Sequence, residues 1–180
     1  MMELSNRFRA LAQGLFWIST VAMAGMVLLV VGVAVMPDLA KTAFVDNAPA
    51  GLNVQTVPST GTVYALLAAG SIALGLQLFV LWNMRALFRM YARGYALSAK
   101  CGTHIARIGA GVIAMPFAWM FYDVVSSYLL TRNNPAGEGQ VTLGISGSSV
   151  GLIVGGGMLL LVGAAMLEAS RQAEENRSFV

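Results

Sequence analysis

The sequence predicts an all-α membrane protein, a bundle of four transmembrane helices with the N and C termini both in the cytoplasm. Three observations predict it. Of the 180 residues, 57% are hydrophobic and only 11% charged, whereas a soluble domain carries about 25% charged residues. Four apolar runs are each long enough to cross a bilayer. Lys and Arg fall almost entirely on alternate connections between those runs.

The first run, residues 14–36, holds 23 residues without a charge. At 1.5 Å per residue it spans about 34 Å, enough for the hydrocarbon core. Arg7 and Arg9 precede it, as basic residues precede a signal peptide, but the apolar part of a signal peptide is only about 7–15 residues long. The second run, residues 63–82, has one polar side chain of note, Gln77. Its helix is expected to continue to residue 93, where Gly94 suits a helix end and Ser98 the cap of the next helix. The third helix is expected over 99–130, with Pro116 in its middle and Asp123 near its end. The fourth is expected over 148–175, apolar to about Leu167 and polar beyond. Lipid offers backbone groups no partners, so each run must form a helix.

Of the eleven basic residues, nine (Arg7, Arg9, Arg85, Arg89, Arg93, Lys100, Arg107, Arg171 and Arg177) lie on one side of the membrane. Only Lys41 and Arg132 lie on the other. The positive-inside rule makes the first side cytoplasmic. The outer segments are then 37–62 and 131–147. Residues 52–57 and 140–146 show alternating apolar positions, Val141, Leu143 and Ile145 in the second, and predict two short strands paired as a small extracytoplasmic cap.

Small residues recur every fourth position. Helix three has Gly102, Ala106, Ala110, Ala114 and Ala118; helix four has Gly147, Gly151, Gly155 and Gly163; helix two has Ala65, Ala69 and Ala73, leading to Gln77. Such stripes are expected to be seams of close helix packing. Either they hold the monomer together, or the glycines of helix four are left for another protein or a second copy.

Candidate chemistry is sparse. A carboxylate inside a span, as at Asp123, suggests function by default, although its place near the outer interface allows pairing with Lys41 or Arg132. Gln77 is expected to hydrogen-bond to a neighbouring helix, and Pro116 to kink its own. Cys101 and His104 are the chain's only Cys and His, too few for a disulfide, a bis-histidine haem or a four-ligand zinc site. The eleven methionines form no dense motif in the outer loops and are read as apolar filler. No phosphate loop, Ser-His-Asp set or carboxylate pair is present. No cofactor, metal or enzymatic activity is expected, and basic residues lying against the membrane speak against direct nucleic-acid binding.

Arg85, Arg89 and Arg93, again four apart, continue helix two into a helical hairpin that also carries Lys100. Three readings fit these charges. They meet anionic headgroups, at about 1 kcal/mol per residue; they pair with Glu168, Glu174 and Glu175 of the tail; or they dock an acidic partner.

The segments ALFRMYARG (86–94), Leu97-Ser98 and HIARIG (104–109), with the tail LEASRQAEEN (167–176) and Phe179-Val180, resemble the YoaS-like family of bacterial four-helix membrane proteins. Residues 140–146 are similar to that family's strand-like segment. The resemblance implies a four-helix membrane fold in the bacterial inner membrane. It implies no catalytic residues, since the family is a domain of unknown function. Its members' frequent neighbour, a small helix-turn-helix regulator of the Cro type, implies a regulator or another membrane protein as partner. The expected function is therefore a non-enzymatic interaction or regulatory protein working through the hairpin and tail. The alternative is a small oligomeric transporter or channel using Asp123, Gln77 and Pro116.

Overall fold

The computed structural model describes residues 6–49, 52–95, 98–135, 139–144 and 147–178, with the side chains of residues 6, 39 and 174–178 outside that description. Five helices follow in order: α1 (Asn6–Val35), α2 (Pro37–Asp46), α3 (Thr60–Ala92), α4 (Ala99–Thr131) and α5 (Gly147–Ser178). All but α2 are long and apolar enough to cross a membrane, as a multi-pass membrane protein requires. Both α1 and α5 extend several residues beyond their expected apolar limits.

The ends of these helices have local causes. Pro37 drives the residue before it out of the helical region: Met36 sits at φ −119°, ψ 67°, and α1 stops there. Proline then suits the first turn of α2, where Asp38 adds a favourable charge. The Ser59 side chain accepts the Thr62 amide at 3.2 Å and caps α3. At the other end of α3, Gly94 takes φ +87°. Tyr95 N donates to Met90 O and Gly94 N to Tyr91 O, both at 3.0 Å, the paired bonds by which a left-handed glycine closes a helix. Ser98 holds the N-cap position of α4, but its hydroxyl does not cap; it bonds the Cys101 sulfur at 3.3 Å.

The helices pack in chain order, α1 on α3, α3 on α4 and α4 on α5, with α2 lying against α3 and α1. No extensive contact between α1 and α5 closes the row. The bundle is consequently open. The chain exposes 11349 Å², against about 8,400 Å² for a folded soluble monomer of its 19.0 kDa. Among the apolar windows 28% of residues are buried in α4 and 22% in α3, but only 11% in α5 and 6% in α1. The two central helices carry the core, around Val80, Leu87, Cys101, Ile105 and Ile108.

The α4–α5 seam is a backbone contact. A methyl group at Gly163 would lie 2.5 Å from Ala106 N and 2.7 Å from Gly102 O; one at Gly109 would lie 2.6 Å from Gly156 O. The seam therefore runs 102–106–109–113 on α4 and 156–160–163–167 on α5, steps of four and three. The expected strict fours are not the seam. Four residues advance about 40° past a full turn, so such a stripe winds round the helix. Gly147, Gly151 and Gly155 consequently face open space, with nothing within 4 Å of an added methyl group. On α4, Ala106 joins the seam, whereas Ala110 is exposed and Ala114 half-buried.

The expected β-pair does not form: no strand occurs among the described residues, and residues 145 and 146 of the second segment lie outside them. The two segments do meet, through side-chain amides. Asn53 N donates to Gln140 Oε1 at 3.3 Å, Gln55 N donates to Asn134 Oδ1 at 3.3 Å, and Asn134 Nδ2 donates to Asn53 O at 2.8 Å. Segment 139–144 is also held by buried hydroxyls of α4: Thr142 N donates to Ser127 Oγ, and Gln140 N to Thr131 Oγ1, both at 3.0 Å. Those bonds use the donors a ladder would need.

Candidate functional site: the basic end and two lateral cavities

The end of the molecule carrying the α3–α4 turn also carries most of the basic residues, and there the three arginines part company. Arg85 is half-buried between α1 and α3. Its Nε donates to Thr20 Oγ1 at 2.9 Å, and its guanidinium carbon stands 4.7 Å from the Phe16 ring centre and 5.7 Å from that of Trp82. It fastens α1 to α3, as does the Phe8–Tyr91 ring contact at 5.8 Å. Arg89 and Arg93, turned about 40° and 80° from it, are exposed, as are Lys100, Arg107 and Arg9.

None of Arg9, Arg89, Arg93, Lys100 and Arg107 has an ion-pair partner among the described residues. The Lys41–Asp38 pair, at 2.6 Å, lies at the other end. Glu168 is exposed and accepts from Gln172 Nε2 at 3.4 Å rather than from an arginine of the hairpin. The side chains of Glu174 and Glu175 lie outside the described residues.

Under this charged surface sits a polar link that the sequence reading passed over. Asn83 is only 2% exposed. Its Nδ2 donates to Phe79 O at 2.8 Å, which leaves Oδ1 facing His104 Nδ1 at 2.9 Å. The network assigns the His104 proton to Nδ1. Cys101, fully buried, donates its thiol to Tyr95 O at 2.9 Å. Cys101 and His104 thus turn to different partners, and among the described residues no three His, Cys, Asp or Glu groups gather. The link joins residues 21 apart, so only the register of the α3–α4 hairpin reveals it.

The intramembrane polar residues fall into two separate cavities. One, of about 420 Å³, is bounded by α1, α2, α3 and α4, including Val33, Phe44, Leu74, Gln77, Trp119 and Tyr122. The Gln77 amide makes no interhelical hydrogen bond among the described residues; it opens on this cavity instead. The other, of about 410 Å³, lies between α4 and α5 and is lined by Pro116, Met120, Asp123, Gly144, Ser148 and Ser149 among others. Asp123 does not meet its expected partners, because Lys41 pairs with Asp38 and Arg132 Nη2 donates to Thr62 Oγ1 at 3.3 Å. Trp119 borders both spaces. Pro116 and Asp123 are brought together; Gln77 is not brought to them. His104, the chain's single histidine, and Asp123 are about 28 Å apart along one helix.

No family model matches the chain, and neither a curated protein nor a solved structure does.

Proposed function

We propose that the protein is a non-enzymatic membrane protein, both ends cytoplasmic, that recruits an acidic partner protein to the inner membrane through its basic end. The observation that carries this reading is the exposed set Arg89, Arg93, Lys100 and Arg107, with no ion-pair partner among the described residues. The charge asymmetry along the chain supports the orientation. Headgroup attraction of about 1 kcal/mol per cation draws the same surface to the bilayer. An acidic protein face competes for these cations and adds shape to the charge. Arg85, engaged with Thr20, serves the fold, and the likeness to the YoaS-like segments agrees with a partner on the hairpin.

The test reverses charge at Arg89, Arg93 and Lys100 together. Recovery of a crosslinked partner from native membranes is expected to be lost, with membrane insertion unchanged; equal recovery would sink the reading. One observation favours transport as a second reading: the Asp123 carboxylate lines a cavity and has no hydrogen-bond or ion-pair partner among the described residues. That reading requires Asp123→Asn to abolish a measurable flux in proteoliposomes, and wild-type flux in the variant would dismiss it.

A further inference from the structure

We propose that the cavity bounded by α1, α2, α3 and α4 is a binding site for an uncharged, lipid-soluble molecule that presents a carbonyl or hydroxyl oxygen to Gln77. In hydrocarbon a polar group without a partner is costly, and the spans mostly avoid that cost. Ser19 and Thr20 donate to carbonyls of their own helix, as do Ser71 and Thr103, and Asn83 bonds both its own helix and His104. Gln77 and Tyr122 differ. Neither side chain has a hydrogen-bond partner among the described residues, and both border this cavity. Among the described residues no side-chain N or O atom is sealed without a partner, so these groups are open to whatever occupies the space.

The walls decide what that is. Among the described residues no Asp, Glu, Lys, Arg or His lines the cavity, so none of them balances an ionised ligand there. Its volume of about 420 Å³ falls in the range of roughly 300–1,000 Å³ usual for small-molecule sites. The α2 helix covers one end, with Ala40 buried beneath it. Among the described residues no helix covers the side, since α5 packs on α4 and lines none of the space. Entry is therefore sideways, from the bilayer.

The depth of Gln77 excludes an ordinary phospholipid as the hydrogen-bonding occupant. Along α3 it lies about 21 Å from Val63 and about 8 Å inside Trp82. A phospholipid anchored at either surface brings only tail carbons to that depth. The occupant must carry its oxygen into the hydrocarbon, as a neutral long-chain alcohol, ketone or quinone does.

The test uses the full chain in phosphatidylcholine vesicles with two photoreactive probes, a diazirine-bearing hexadecanol and the matching hexadecane. Labelling is mapped by mass spectrometry at Val33 and Leu67, with Val154 and Leu161 on the exposed face of α5 as internal standard. The alcohol is expected to favour the cavity over α5, and the alkane to show a smaller preference. Gln77→Leu should lower alcohol labelling of the cavity roughly fivefold, the factor one neutral hydrogen bond supplies, and leave the alkane unchanged. Leu74→Trp, which fills the space, should reduce both probes there. Equal labelling of cavity and α5 by the alcohol, or undiminished labelling in Gln77→Leu, would overturn the proposal.

Discussion

The two outer helices, α1 and α5, are held in opposite ways. α5 meets α4 backbone to backbone, with Gly163 against Gly102 and Ala106, and Gly156 against Gly109 and Ile113. α1 meets α3 through long side chains: Arg85 reaching Thr20 and Phe16, Phe8 on Tyr91, and the Tyr64 hydroxyl donating to Ala34 O at 3.5 Å. Its own glycines, Gly14, Gly25 and Gly32, have nothing within 4 Å of an added methyl group. Lipid supplies no hydrophobic drive between helices, so close approach of small residues makes the firm joint. The side-chain joint leaves room, and one cavity opens where α1, α2, α3 and α4 meet; the α4–α5 flank opens only beyond its seam, around Pro116 and Asp123. The firm backbone seam and the cavity holding Gln77 thus lie on different flanks.

The sharpest way to break this contrast is Gly163→Leu. The new side chain would strike the α4 backbone, which cannot turn aside, and a loss of about 3 kcal/mol or more is expected, read as a lowered unfolding midpoint in detergent titration. Asn83→Ala comes next: it leaves a gap at the buried Asn83 position and the half-buried His104 without its partner, and should cost about 2 kcal/mol in the same assay. Arg85→Met removes one hydrogen bond, to Thr20, and two cation–π contacts, of which only that with Phe16 reaches α1. A loss of about 1 kcal/mol is expected, confined to α1, so a crosslink between cysteines placed at Phe8 and Tyr91 should form more slowly. Gly151→Leu should alter stability by no more than about 0.5 kcal/mol, because its new side chain enters open space. If Gly151→Leu destabilised as much as Gly163→Leu, the seam would be misassigned.

What the sequence made legible is what a whole helix averages. Four spans follow from runs of about twenty apolar residues, and the end of α3 follows from Gly94. What depends on rotation about a helix was harder. A stripe at strict fours looks like a face but winds off it, which is why Gly147, Gly151 and Gly155 read as packing positions and stand open. The alternation of Val141 and Leu143 also misled: both point outward, 62% and 64% exposed, with no second strand to cover them. Helix α2 was hidden because its length is only 10 residues and Ala40, the one buried side chain described on it, is small. Of the candidate site, the exposed cations Arg89, Arg93 and Lys100 were legible, whereas the separate duty of Arg85 needed the position of Thr20. The Asn83–His104 link and the pairing of Gln77 with Tyr122 on one cavity join residues that only the antiparallel register brings together.

The most direct test of the basic end as the contact surface is a photocrosslinking scan in living cells. A photoreactive amino acid would be placed singly at Arg89, Arg93 and Lys100, and for comparison at Leu28 on α1 and Leu161 on α5, both 70% exposed. Adducts to one common protein from the three basic positions, and none from the two apolar ones, are the predicted result. Adducts arising only from Leu28 or Leu161 would contradict the account and move recognition from the charged surface into the membrane.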